Sequence, residues 1–240
     1  MPRSIWIVVP TFNEAANIEP ALAAARHALA QVPDADPHVL IVDDSSPDGT
    51  GAIADRLAQA DPSIEVLHRT VRQGLGPAYL AGFAHALGRG AELIFEMDAD
   101  LSHNPADIPR LVAAIDAGAD LALGSRYVDG GAVVDWGLLR RLISRGACLY
   151  ARVVLRLPIG DLTGGYKCFR RSVLEAIDLA SVRSHGYVFQ IELTLRAVRS
   201  GFRVVEVPIT FRDRERGKSK MSARIALEAA WRVPQLRGRR

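Results

Sequence analysis

Asp98 and Asp100 stand one residue apart in the stretch EMDADLSHNP, residues 96–105, directly after the apolar run ELIFEM. At the end of a strand, side chains at i and i+2 point to the same side, so the two like charges face one another. Two readings relieve that repulsion. A hard cation such as Mg²⁺ takes one or two carboxylates and completes its shell with substrate phosphates. Alternatively one acid caps the helix that starts near Pro105, although Ser102 and Asn104 are equally good caps.

A second acidic pair lies in VDDSSPDGT, residues 42–50. Carboxylates of Asp43 and Asp44 at a strand end can accept from the ring N–H of a base or from a ribose hydroxyl. The following Ser-Pro-Asp-Gly makes a tight turn with Asp48 as a cap, which explains that part but not two successive acids before it. Basic counterparts appear later. Arg126 in GSRY ends another apolar run, where it either meets an anion or forms a surface ion pair of small energetic weight. In FRDRERGKSKM, strand alternation would put Arg212, Arg214 and Arg216 on one side, with Gly217, Lys218 and Lys220 in a loop able to fold over a diphosphate. As a bare charge run the same residues read as a solvated surface. The segment RQGLGPAYLAG lacks both the dinucleotide spacing and the Walker Gly-Lys-Ser/Thr, and reads as a turn and helix start. Neither a zinc-ligand spacing nor a Gly-x-Ser-x-Gly elbow occurs, which removes zinc and serine-hydrolase readings.

The elements that must position these residues alternate. Strands are expected to begin at Ile5, His38, Ile64, Glu92 and Asp120, with helices over 15–30, 51–60, 76–88 and 106–117 between them. Consecutive Val, Ile and Leu fit strands buried on both faces, and the rhythm predicts an α/β sheet with helices on its faces. The polar clusters then share the carboxyl edge of one sheet, where ligands of open α/β sheets bind. Beyond Tyr127 the pattern predicts a Gly-rich loop, an amphipathic helix over 138–158 and a turn-rich connection GDLTGGYKCFRR. A helix ending at Gly201 follows, then a strand from Phe202 with Pro208 demoting it to an edge, and a basic tail helix broken near Pro234.

Composition bounds the rest. The 240 residues, 49% hydrophobic, suffice for one continuous core. Cys148 and Cys168 form no disulfide framework, which points to a reducing, intracellular setting. No stretch reaches ~18 uncharged apolar residues, so no transmembrane segment is expected. Residues 212–240 hold ten Lys and Arg against three acids, a balance of +7, leaving −4 for residues 1–211. A basic tail suits an anionic surface or a phosphorylated ligand. The acidic remainder argues against nucleic acid.

Taken in order, VVPTFNE, VDDSSPDGT, EMDADLSHNP, GSRY, SRGACLYARVVLRLPIGDLTGGYKCFRR, GYVFQIE and RGKSKM resemble family 2 glycosyltransferases of the GT-A fold, most of all the dolichol-phosphate (polyprenol-phosphate) mannose synthases. The resemblance runs over essentially the whole chain. It implies a GT-A, Rossmann-like mixed sheet in a single catalytic domain: a nucleotide-sugar half over 1–127, an acceptor side over 128–217 and a basic amphipathic tail over 218–240. It implies mannose transfer from GDP-mannose to a polyprenyl monophosphate with inversion at the anomeric carbon. The rival within the fold is a UDP-glucose enzyme; the rival outside catalysis is a nucleotide-sugar or lipid-phosphate binding module. By resemblance Pro10, Phe12 and Glu14 border the nucleotide, Phe12 standing where relatives often carry Tyr, and Val42 and Asp44 contact base and ribose. Met97, Asp98, Ala99 and Asp100 line the diphosphate, with Asp98 and Asp100 binding Mg²⁺ or Mn²⁺. Ser102 takes a place where some relatives have Gln as a further ligand. Arg126, Arg214 and Lys220 hold the donor phosphates or sugar and the acceptor phosphate; Asp100, Arg126 and Arg214 act electrostatically, and no general base is assigned. Such a protein would be cytoplasmic and peripherally bound to the cytoplasmic face of a membrane, through the helix over 138–158, the tail or a membrane partner protein.

Overall fold

The computed structural model describes residues 2–213 and 223–238, with backbone alone for 223–230. Apolar alternation builds the centre. In β1 (Arg3–Thr11), Ile5, Ile7 and Val9 face one core while Trp6 and Val8 face another, so a strand with five consecutive buried residues feeds both sides of the sheet. The first core is closed by α1 (Ile18–Leu29) and α4 (Ile108–Asp116), the second by α3 (Leu75–Gly88) and α7 (Gly186–Arg199). Gly82 lets α3 lie directly on β1, because a methyl group there would collide with Cγ1 of Val8.

The other strands of the main sheet are β2 (Ala35–Asp43), β3 (Ile64–His68), β4 (Leu93–Glu96), β5 (Leu121–Ser125), β7 (Lys167–Arg170) and β8 (Val204–Pro208). They run in the order β3-β2-β1-β4-β7-β5-β8, and only β7 is antiparallel to its neighbours. The carboxyl ends of β1, β2, β4 and β5 therefore share one edge, as the polar clusters at their ends predict. The second helix, α2 (Thr50–Ala60), joins β2 to β3. A small parallel ladder, β6 (Ala132–Val134) with β9 (Thr210–Arg212), hangs beside β5, tied by Ile209 N–H donating to Ser125 O and Ala132 N–H to Ile209 O.

Three expectations are corrected. The connection GDLTGGYKCFRR contains β7, a strand at the middle of the sheet. Its four residues include a fully buried lysine, Lys167, which no apolar pattern announces. The strand expected from Phe202 is two strands: β8 does take an edge, but the chain leaves the main sheet after Pro208, which has no N–H for a ladder, to pair with β6. The tail helix α8 (Ala223–Gly238) runs through Pro234 instead of breaking there. The expected helix over 138–158 is α5 (Leu138–Leu155), ended by Arg156 in a left-handed conformation, and the Gly-rich loop before it holds β6. A short helix α6 (Arg171–Ala176) completes the set. Among the described residues no helix is long and apolar enough to cross a membrane.

Candidate active site

The strand ends open into a cavity of about 300 Å³. Its lining includes Pro10, Phe12 and Glu14 after β1, Asp44 after β2, Asp98, Ala99 and Asp100 after β4, and Arg126 after β5. Val42 and Met97 are placed differently: both side chains are buried in the two cores flanking the sheet. Arg214 and Lys220 lie outside the described residues.

The two acids after β2 divide their tasks. Asp43 braces the loop, accepting from the Thr11 hydroxyl at 3.1 Å, the Ser46 hydroxyl at 2.6 Å and the Ser46 amide at 3.1 Å. Asp44 reaches the cavity and is oriented by Arg69 Nη1 at 2.6 Å and the Gly74 amide at 3.2 Å. Asp48 ties this loop to the neighbouring one, accepting from the Thr50 amide and hydroxyl and from the Ala15 amide. Burial works against ionisation of Asp48, but the Thr50 and Ala15 hydrogen bonds outweigh it and hold its carboxyl below the ordinary value. Arg72, read from sequence as part of a turn, stands 3.7 Å over the Phe12 ring and lines the same end of the cavity.

After β4, Asn104 settles the capping alternative. Its side chain accepts from the Ala106 amide at 3.1 Å and caps the short 3₁₀ turn Pro105–Asp107. Asp98 instead accepts from the Tyr79 hydroxyl at 3.2 Å, and Asp100 from the Ser102 amide at 3.0 Å. Burial first, then the charge of Asp98, pushes the Tyr79 phenol well above its usual range, so it stays a donor. The Asp98 amide donates to Nδ1 of the buried His103, which places that ring's proton on Nε2. Leu101 bends the chain between Asp100 and Ser102 with φ 61°, a conformation costing a non-glycine residue roughly 1–2 kcal/mol. Strain of this kind gathers where a loop is shaped for a task. Beneath this wall Lys167 and Glu96 are both fully buried, with Nζ 3.7 Å from Oε2. Lys167 also donates to Gln190 O at 3.0 Å and to Gln190 Oε1, which ties β7 to α7. Burial raises the Glu96 carboxyl to about 7 although Lys167 opposes the shift, and burial likewise lowers the Lys167 ammonium.

The basic wall is built over long range. Arg126 is 6% exposed rather than a surface ion, and it grips the fully buried Asp161 with Nε to Oδ2 at 2.7 Å and Nη2 to Oδ1 at 2.6 Å. Nη2 also donates to the Thr163 hydroxyl at 2.8 Å. Burial alone would lower the guanidinium pKa, but Asp161 raises it above its ordinary value, so Arg126 is a permanent cation. The amides of Gly160 and Asp161 donate to Glu206 on β8, which holds the Asp161 loop in place. Arg140, on the first turn of α5, also lines the cavity, stacked 4.0 Å over Trp136 and paired with Asp213 at 2.7 Å. Gly165 forms part of the floor, where a methyl group would press on the Gln190 side chain. Arg72, Arg140, Trp136 and Asp161 escape sequence reasoning; the one available signal is that GDLTGG carries an acid and three glycines that a plain connection does not need.

A mostly parallel sheet with one reversed strand, a nucleotide-sized cavity at its carboxyl edge and a paired aspartate on the central strand end define a GT-A glycosyltransferase fold. Residues 6–178 match the model of glycosyl transferase family 2, and the chain belongs to that family. It is 52% identical over 236 residues to a polyprenol monophosphomannose synthase of Mycolicibacterium smegmatis, covering 97% of this chain and 87% of that protein. An undecaprenyl-phosphate mannosyltransferase of Micrococcus luteus is 50% identical over 225 residues, covering 94% and 90%. A dolichol-phosphate mannosyltransferase of Pyrococcus furiosus is 37% identical, covering 93% of this chain and 61% of that protein. Among solved structures, the glucosyl-3-phosphoglycerate synthase of Mycobacterium tuberculosis in complex with Mn²⁺, uridine diphosphate and phosphoglyceric acid has the same fold. Its TM-score is 0.69 at 20% identity, covering 98% of this chain and 77% of that one.

Proposed function

We propose that the protein transfers mannose from GDP-mannose to a polyprenyl monophosphate, inverting the anomeric carbon to give the β-mannosyl phosphate and GDP. One observation carries the reading: a single cavity holds an aspartate pair at one strand end and two arginines, Arg126 and Arg140, from another side. A nucleotide sugar and a phosphate acceptor need that combination. The relatives that match nearly the whole chain bear names of polyprenyl-phosphate mannosyl transfer, which supports the choice of sugar and acceptor.

Asp98 and Asp100 fit a divalent cation, Mg²⁺ or Mn²⁺, by the chemistry of their oxygens and by their place on a strand end. A hard cation takes one or two carboxylates and leaves its other positions to phosphate and water. Bound there, such an ion would offset charge on the departing diphosphate. The chain's own residues do the rest. Asp44, held by Arg69 and Gly74, presents a fixed carboxylate to the base or ribose, with Phe12 and Arg72 beside it. Arg126 and Arg140 orient the acceptor phosphate, and by the resemblance Arg214 and Lys220 would hold the donor phosphates or sugar and the acceptor phosphate. A phosphate monoester has a second pKa near ~6, so the acceptor is already an anionic nucleophile and no strong base is needed. The lipid acceptor resides in a bilayer, and the protein meets it there as a peripheral protein, either by itself or through a membrane partner protein.

The test is incubation with radiolabelled GDP-mannose or UDP-glucose, Mn²⁺ and polyprenyl phosphate. Labelled lipid from GDP-mannose is expected; label from UDP-glucose alone would contradict the assignment, and label from neither would favour a binding module.

A further inference from the structure

His103 is a buried polar ring with one of its two nitrogens in use. It is 3% exposed, yet it lines the cavity. Tyr166 stacks on the imidazole with ring centroids 5.0 Å apart and planes 14° apart, and Phe211 meets it edge-on at 5.5 Å and 73°. Tyr166 is itself fully buried, and its hydroxyl donates to Asn104 O at 3.1 Å, so the platform under the imidazole is pinned. Nδ1 accepts from the Asp98 amide at 3.3 Å, and Oδ2 of Asp98 stands 4.0 Å from the same nitrogen. Nε2 therefore carries a proton whether the ring is neutral or charged, and it has no hydrogen-bond partner among the described residues. The glycine floor lies along this edge of the ring: a carbon added at Gly165 would stand 3.8 Å from Cε1, the atom next to Nε2.

The position of this donor between the two walls says what it meets. On one side the ring is joined to Asp98 through the backbone. On the other it touches Phe211, whose ring lies 5.4 Å from Cζ of Arg126 and 5.4 Å from Trp136, the ring under Arg140. In an inverting transfer the attacking and departing groups stand on opposite faces of the sugar. With the donor's diphosphate at Asp98 and Asp100 and the acceptor phosphate at Arg126 and Arg140, the sugar occupies the span between them, and His103 lies on that span. We infer that the Nε2–H of His103 donates to one hydroxyl of the transferred sugar, so that His103 orients the sugar and helps to select it. This deepens the transfer proposed above and rests on it for the places of the two phosphates. A hydroxyl fits better than a phosphate oxygen, because the phosphates already have cations on both sides, whereas a single immobile N–H matches a group that accepts one bond and donates its own proton elsewhere. A sugar lacking that hydroxyl would leave a buried donor unpaired, which is how a site rejects a close analogue.

The experiment compares the full chain with His103→Asn and His103→Gln, using GDP-mannose and its four analogues deoxygenated at C2, C3, C4 or C6. Asparagine places a polar atom where Nδ1 stood and cannot reach the cavity, whereas glutamine places an N–H near the position of Nε2. Both variants lose the ring stack, so the difference between them reads the Nε2 donor. His103→Asn is expected to lower kcat/KM for GDP-mannose about tenfold or more, and His103→Gln to stay within about fivefold of wild type. In wild type, one deoxy analogue should lose about tenfold relative to GDP-mannose; in His103→Asn the same analogue should lose less than about twofold, while the other three keep their wild-type ratios. Affinity for GDP, which has no sugar, should agree within about twofold in all three proteins. Equal damage by asparagine and glutamine, or weakened GDP binding in both, would overturn the inference in favour of a structural role behind Asp98. So would deoxy ratios that are the same in wild type and His103→Asn. These outcomes leave transfer by wild type intact, whereas absence of transfer from GDP-mannose by wild type would overturn the reaction itself and the inference with it.

Discussion

The two walls of the cavity are built in opposite ways. The acidic wall is local: Asp98 and Asp100 sit within five residues of β4, shaped by the turn at Leu101 and by donors from Tyr79 and Ser102. The basic wall is assembled from distant segments, with Arg126 from the end of β5, Asp161 from the loop before β7, Glu206 behind it on β8, and Arg140 from α5. The buried ion pairs differ in the same sense. Arg126 and Asp161 meet in a two-point contact at 2.6 and 2.7 Å, whereas Lys167 and Glu96 below the acidic wall stand 3.7 Å apart. A planar guanidinium gripped at Nε and Nη2 has its direction fixed. Arg126 is therefore an aimed cation already matched by a carboxylate, suited to orienting an anion rather than to drawing one from solution.

Substitutions can break this contrast. The largest effect is expected from Asp161→Asn, which strands the buried Arg126 charge and should cost about 3–5 kcal/mol in urea unfolding. Its pH dependence has a defined sign. Burial raises the Asp161 pKa, but Arg126 outweighs burial and holds the carboxyl below its ordinary value, so the pair's contribution is present above the unfolded value of about 3.9 and is lost as pH falls through the lower folded value. The stability gap between wild type and Asp161→Asn should thus persist at neutral pH and shrink only in strong acid.

Asp100→Ala acts on the other wall. Turnover should fall about 10²–10³-fold, roughly 3–4 kcal/mol, with the melting temperature nearly unchanged, because the residue serves charge and not packing. Arg140→Gln sharpens the division further: the KM for acceptor should rise about tenfold while donor affinity measured by calorimetry stays the same. The smallest effect is expected for Phe12→Leu, which removes the ring under Arg72 and should weaken donor binding by about 0.5–1 kcal/mol, a twofold to fivefold change in Kd.

The same contrast decides what the sequence makes readable. The strands expected from Ile5, His38, Glu92 and Asp120 have apolar runs that end in acids or Arg126, so the sheet edge and the acidic wall follow from local pattern. Asp44 is readable for the same reason. The pairing of Arg126 with Asp161 is not, because a bond across 35 residues leaves no periodic trace. Strand β7 hides for a related reason: Lys167 interrupts its apolar pattern, and its burial makes sense only once Glu96 and Gln190 are seen beside it. The resemblance sets Val42 and Met97 at the nucleotide, and their side chains lie in the two cores flanking the sheet. Arg214 and Lys220 lie outside the described residues, and their part in the phosphate site rests on the resemblance.

Asp98 and Asp100 are proposed to hold the donor's diphosphate through a divalent cation. Calorimetric titration of GDP-mannose into wild type and Asp100→Ala, each with and without Mn²⁺, tests it directly. Tight binding is predicted for wild type with Mn²⁺ alone, weakened at least about tenfold when either the metal or the carboxylate is removed. Equal affinity in all four titrations would contradict it.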